Sequence, residues 1–135
     1  MKLKAKFLKN FTWAIAGSAV AIFFVHGVKA EVNLSKDAAS KLIIGNTISG
    51  KHFKGAKNDS YIAKDGTVST LRAGKPMKGV WKFNDDGAHC VKFEGRKKFS
   101  CLYVADMGDG KYEKRKKSGK AIIFFSMVEG KMEGL

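Results

Sequence analysis

Beyond Gly45 the chain alternates. Short runs in which apolar and polar residues exchange places at every step, rich in valine, isoleucine, threonine and aromatics, recur between clusters of glycine, asparagine and aspartate. A period of two turns successive side chains to opposite faces of an extended backbone, so each run reads as a β-strand with one face on a core. The runs are NTISGKHF, SYIAK, TVSTLRA, GVWKF, HCVKFE, KFSCLYVAD, KYEKRKK and AIIFFSMVE, spanning residues 46 to about 129. Turn residues separate several of them: KDG at 64–66, AGKP at 73–76, NDDG at 84–87 and KSGK at 117–120. In the last run both faces are apolar, which predicts a strand buried on both sides or paired centrally.

Ahead of this region the period is helical. Ser35 is an N-cap candidate, Asp37 falls in the first turn, Ala38, Ala39, Leu42 and Ile43 make an apolar stripe, and Gly45 ends it. One short helix over about 35–44, followed by close-spaced strands, predicts a mainly β domain. It is a small antiparallel meander barrel, or a strongly curved sheet, of about eight strands, with the helix covering or plugging one end. Closure removes exposed strand edges.

The first thirty residues carry a different pattern. Lys2, Lys4, Lys6 and Lys9 precede an apolar stretch from Phe11 to Val25, and Val28 and Ala30 stand before Glu31. Basic start, short apolar core and small-residue ending are the parts of a secretory signal peptide, with cleavage expected after Ala30. An uncleaved membrane anchor is the rival reading, but the apolar run is short for a span and is interrupted by Gly17 and Ser18. The expectation is a single exported domain over residues 31–135, periplasmic or secreted, with no transmembrane span after cleavage.

Export changes the reading of the two cysteines. With a two-residue turn at Gly95-Arg96, Val91 faces Ser100 and Cys90 faces Cys101 across a hairpin, with facing Cα atoms about 4.5–5.5 Å apart. That separation suits a disulfide, which over so short a loop contributes about 2–3 kcal/mol. A zinc site would need two more ligands, and His52 and His89 are the histidines left after the leader; His89, adjacent to Cys90 on a strand, points to the other face. A Cys–His catalytic pair fails for the same reason. The same register puts Val91, Phe93, Leu102 and Val104 on the core side with His89 at its margin. Cys90, Lys92, Phe99, Cys101 and Tyr103 take the other side.

Charge adds a function class. The chain holds 26 basic and 12 acidic residues, and five lysines but no acids lie in the first thirty, so the domain keeps a net charge of +9. Such a domain suits an anionic envelope component or an acidic protein as partner, and nucleic acid is a poor fit for an exported chain. Two clusters stand out: Arg96, Lys97 and Lys98 at the tip of the cysteine hairpin, and Lys114, Arg115, Lys116 and Lys117, with Lys111 and Lys120 nearby. They can grip phosphate or carboxylate groups or serve as edge lysines that discourage aggregation. With one meander turn between them, they can also lie at opposite ends of the sheet. Trp81, Phe83 and Phe125 are candidates for the core or for the wall of a ligand cavity. No nucleophile elbow, HExxH or phosphate-binding loop occurs, and Asp85-Asp86 with His89 reads as a turn. The expectation is a protein that is not an enzyme, with no metal and no cofactor.

The segments LIIGNTISG, YIAKDGT and GKPMKGVW, followed by the cysteine hairpin, resemble a family of small exported proteins of Gram-negative bacteria that has no assigned activity. Gly45, Asn46, Thr47 and Gly50, then Asp65, Gly66 and Thr67, then Gly79 and Trp81, then Cys90 and Cys101 carry the resemblance. It implies an exported β-domain and brings no ligand. The G-x-W of lipocalins lies in their first strand, whereas Trp81 is mid-chain, so their ligand binding is not carried over. The leading expectation is an envelope binding module that recognises an anionic partner through basic loops. The alternatives are a carrier of an apolar ligand and an inhibitor of a hydrolase. Oligomeric state stays open at this point.

Overall fold

A computed structural model describes residues 32–135; the expected leader and its cleavage after Ala30 lie outside the described residues. The elements are β1 (Val32–Asn33), α1 (Lys36–Ile43), β2 (Thr47–His52), β3 (Lys57–Ile62), β4 (Thr67–Arg72), β5 (Lys75–Phe83), β6 (His89–Phe93), β7 (Ser100–Gly108), β8 (Lys111–Arg115) and β9 (Ala121–Val128). Strands β2 to β9 follow one another as an antiparallel meander. β9 returns to pair with β2, which closes an eight-stranded barrel. The expected fold class is correct. The two-residue β1, which the sequence pattern did not suggest, extends the sheet by pairing with β7 at Val32–Asp106 and Asn33–Ala105.

Helix α1 is capped as its sequence predicts, with the Ser35 hydroxyl accepting from the Ala38 N–H at 3.2 Å. It buries Ala39 and Ile43 against Ile48, Ile62, Val68, Val104, Ile123 and Phe125 and so plugs one end of the barrel. Phe125 belongs to this core, and Trp81 and Phe83 pack half-buried against it.

Two glycines let the barrel close. A Cβ on Gly50 would stand 1.8 Å from the Phe124 carbonyl oxygen, and one on Gly79 would stand 2.3 Å from that of Lys92. Each glycine faces an aromatic residue on the neighbouring strand, Phe125 and Phe93 respectively. The missing side chain lets a strand bend tightly, and the aromatic fills the space left.

The other short motifs are structural too. Gly45 takes φ +81° at the exit from α1. The Asn46 amide donates to the Leu42 carbonyl, and its Oδ1 accepts from the Gly130 N–H at 3.0 Å. The buried Thr47 hydroxyl donates to the Gly130 carbonyl at 2.7 Å and accepts from the Met132 N–H. These bonds tie the C-terminal segment to the start of β2. Asp65 accepts from both the N–H and the hydroxyl of Thr67, an Asx turn. The Trp81 indole donates to the Ala63 carbonyl at 2.8 Å, joining β5 to the same turn.

Three local expectations change. β3 begins at Lys57, not near Ser60, because the turn-prone Asn58 and Asp59 find side-chain partners inside a ladder: Arg72 donates to Asn58 at 2.9 Å and Ser49 to Asp59 at 2.7 Å. The β4–β5 turn narrows to Ala73-Gly74, both at positive φ, so Lys75 and Pro76 are already strand. In the cysteine hairpin the Val91–Ser100 and Cys90–Cys101 pairs stand as expected, but the ladder stops there. The tight turn spans Phe93–Arg96, with the Arg96 N–H on the Phe93 carbonyl and Gly95 at φ +82°, and 97–99 form a wider loop. Cys90 and Cys101 are joined as a disulfide, their Cα atoms 3.9 Å apart. Central pairing of β9 is observed, yet its outer face is open, with Phe124 47% exposed. Closure onto β2 supplies the second strand neighbour beside β8.

Candidate functional site

In a meander barrel alternate turns lie at the same end. The 53–56, 73–74, 94–99 and 116–120 connections therefore share the end opposite α1. They carry Lys54, Arg96, Lys97, Lys98, Lys116, Lys117 and Lys120, and Glu94 is their one acid. The two basic clusters thus lie at the same end of the barrel. Aromatic rings brace this rim: Lys54 and Lys120 lie 5.7 and 4.7 Å from the centre of the Phe53 ring. Lys82 and Lys92 lie 4.5 and 5.1 Å from that of Phe99.

The barrel opens at this end into a cavity of about 640 Å³, within the usual range for small-molecule sites. Its walls are apolar at Met77, Val91, Phe93, Leu102 and Ile122, and cationic at Arg72, Arg96, Lys97 and Lys98, with His52 beside them. None of its lining residues is acidic. Below it a chamber of about 70 Å³ shares Arg72, Val91, Phe93, Ser100, Leu102 and Ile123, and adds Ser60, Ile62, Val68, Thr70, His89 and Lys114.

Half of the chamber's lining is polar, placed there by the alternation that makes the strands. Asn58 and Ser60 on β3, Thr70 and Arg72 on β4, His89 on β6 and Lys114 on β8 all take inward positions, facing one another across the ladders or lining the chamber. A chain of bonds runs among them. Arg72 Nε donates to Asn58 Oδ1 at 2.9 Å, the Asn58 amide reaches Ser60 Oγ at 3.4 Å, and Ser60 Oγ meets Thr70 Oγ1 at 2.7 Å. On the far side Lys114 Nζ bonds His89 Nδ1 at 2.8 Å. Lys114 is 5% exposed and His89 is 1% exposed. The outer ring nitrogen of His89, Nε2, is buried with no hydrogen-bond partner among the described residues.

The electrostatics are those of cations crowded together. Burial, then the charge of Arg72, holds the Lys114 ammonium down to about 7. Burial, then Lys114, pushes His89 down to about 2, so its ring is neutral. Arg72 is lowered by burial and then by Arg96, and His52 by burial, then by Arg72 and Lys54. The ion pairs among the described residues, Lys36–Asp85, Lys41–Asp37, Lys57–Asp59 and Arg115–Glu113, include none of the cavity's cations. The pocket thus combines apolar walls with cations that no acidic residue of its lining neutralises.

The structure redistributes the residues singled out from the sequence. Arg96, Lys97 and Lys98 line the mouth. Lys114 is not one of the surface cations: it lies within β8, and alternation turns it inward. Arg115 pairs with Glu113 at 2.8 Å, and Lys116 and Lys117 are exposed outside the mouth. Trp81, Phe83 and Phe125 line neither the mouth nor the chamber. Asp86 accepts from the Tyr103 hydroxyl and Asp85 pairs with Lys36, so neither approaches His89 as a catalytic group. His89 is at the centre of the core side, not its margin. Sequence reasoning missed Arg72, Ser60 and Thr70, although the alternation in TVSTLR places Thr70 and Arg72 on one face.

A second cavity of about 600 Å³ lies over β2, β8 and β9, beside Met107, Tyr112 and Phe124, and Lys51 and Lys111 are its cations. No three histidine, cysteine or carboxylate side chains cluster as metal ligands among the described residues. No helix there is long and apolar enough to cross a membrane. In comparison with known proteins, no family model matches the chain, and no curated protein matches it.

Proposed function

We propose that the chain is an exported, non-enzymatic binding module of the cell envelope, which receives an anionic ligand through the basic loop end of its barrel. The observation that carries this reading is the mouth cavity lined by Arg72, Arg96, Lys97 and Lys98 without an acid. Arg72 is half-buried, where a cation is normally paired, while Arg96, Lys97 and Lys98 are exposed and add positive potential at the mouth, so a negative charge from outside complements the set. The apolar wall also favours a carrier role, with the ligand's hydrocarbon held beside Phe93 and Leu102. A neutral apolar cargo would leave the cations unused, so the anionic reading comes first.

The test uses anilinonaphthalene sulfonate, an anion with an apolar body, titrated into the full chain and followed by fluorescence. Binding should weaken steeply as salt rises, since exposed charges are screened within about 10 Å at 0.1 M ionic strength. Charge reversal at Arg96, Lys97 and Lys98 together should abolish it. Binding that ignores salt and survives the reversal would leave the neutral-carrier reading in its place.

A further inference from the structure

The chamber beneath the mouth makes a demand that the rim alone does not. Lys114 is buried on β8, its amine held by a neutral imidazole and matched by no carboxylate among the described residues. Arg72 is fixed through Nε by Asn58 and reaches both cavities. The hydroxyls of Ser60 and Thr70 line the same space. Removing ammonium and guanidinium groups from water costs several kcal/mol per ion unless a counter-charge is supplied. The chamber, at about 70 Å³, has roughly the volume of two waters, each about 30 Å³ in the liquid. That is room for one small planar anionic group. The passage above it is apolar, bounded by Val91, Phe93, Leu102 and Ile123.

We propose that the barrel interior is a site for the carboxylate of an apolar organic acid, bound head inward at Lys114 and Arg72 with its hydrocarbon body in the throat. This rests on the reading of the loop end as an anion receptor, and deepens it by naming the ligand class and its orientation. The rim cations attract the acid and the chamber holds its charge. A neutral alcohol of the same length gains the throat contacts and loses the ion pair. Charge-assisted hydrogen bonds are the strong ones in a buried site.

Proton linkage separates this site from the rim. Lys114 is held down to about 7, first by burial and then by Arg72, and His89 beside it is neutral over the same range. His89 and Arg72 are the titratable or charged groups that face the amine, and neither changes protonation near neutral pH. Carboxylate binding favours the ammonium, so above pH 7 the complex takes up a proton from solution. Affinity should then fall as pH rises from 7 to 9, by up to about tenfold per unit.

The experiment is calorimetric titration of decanoate, with decanol as control, into the full chain at pH 6, 7, 8 and 9. Two buffers of different ionisation enthalpy are used at each pH. The expected result is decanoate binding at least tenfold tighter than decanol at pH 7, with close to one proton taken up per decanoate at pH 8–9. Lys114→Met should weaken decanoate binding at pH 7 at least several-fold, with Arg72 left as the interior cation, and remove the uptake, while denaturant melts confirm that the variant folds. Reversal of Arg96, Lys97 and Lys98 should weaken binding and leave the uptake in place. Equal binding of decanoate and decanol overturns the proposal, as does unchanged uptake in Lys114→Met. Sulfonate binding that depends on salt, without any decanoate binding, overturns the interior site alone and leaves the loop-end reading standing. If neither anion binds in a salt-dependent way, the loop-end reading is lost as well.

Discussion

Replacing Lys114 by methionine should stabilise the ligand-free protein at neutral pH. In an unfolded chain a lysine titrates near 10.4; in the barrel burial holds Lys114 down to about 7. Between these values the unfolded state binds more protons than the folded one. Stability therefore rises with pH across that window, by about 1.4 kcal/mol per unit. From pH 7 to pH 9 the native protein should gain about 2 kcal/mol from this residue. At pH 7 the burden of keeping the amine inside is about 4 kcal/mol on the same scale. Methionine removes it and fills a similar volume. Against this, His89 Nδ1 loses its 2.8 Å bond, and an unsatisfied buried group costs about 1–3 kcal/mol. The net gain at pH 7 is about 2 kcal/mol, and it shrinks as pH rises. Urea unfolding of both proteins at pH 7, 8 and 9, followed by circular dichroism, measures this directly. The variant also serves as the control for every other titrating group. A native stability that stays level between pH 7 and pH 9, or a variant less stable than the native chain at pH 7, would refute the reasoning.

Other outcomes follow from the fold. Replacing Cys90 and Cys101 together by alanine should lower unfolding free energy by about 2–3 kcal/mol, read as a lower urea midpoint that reductant does not shift further. Gly50→Ala and Gly79→Ala should each prevent stable closure, because the new Cβ meets a backbone oxygen at 1.8 or 2.3 Å; loss of cooperative thermal unfolding is the readout. Ala73→Asn should stabilise, by about 0.5 kcal/mol, since asparagine tolerates the positive φ of this two-residue turn better than alanine does; a raised melting midpoint with unchanged ligand binding checks it. Thr47→Val should loosen the 130–132 segment, which Thr47 holds through the Gly130 carbonyl and the Met132 amide, and hydrogen exchange at the Met132 amide should speed up while the barrel amides stay protected.

Much of this protein was legible along the chain, because the relevant physics is local. Alternation named most strands, glycine and aspartate placed the turns, and Ser35 placed the helix start. One register argument joined Cys90 to Cys101, since facing residues in a hairpin are set by counting from its turn. The ladder survived even though the turn moved from Gly95-Arg96 to Phe93–Arg96. A wider loop absorbed the difference on the Ser100 side without changing which residues face each other.

Tertiary structure decided the rest. Whether eight strands make a curved sheet or a closed barrel depends on β9 reaching β2, a contact between the two ends of the meander. KYEKRKK reads as a strand, but which of its alternating faces meets the interior is set by the pairing of β8 with β7 and β9, and that pairing turns Lys114 inward. Asn58 and Asp59 read as turn residues until partners from β2 and β4 satisfy them. The cationic chamber draws Arg72, His89 and Lys114 from three strands far apart in sequence. Local pattern sets the face on which each such side chain stands. Only closure of the sheet brings those faces around one space, where burial and mutual repulsion turn separate polar residues into a site.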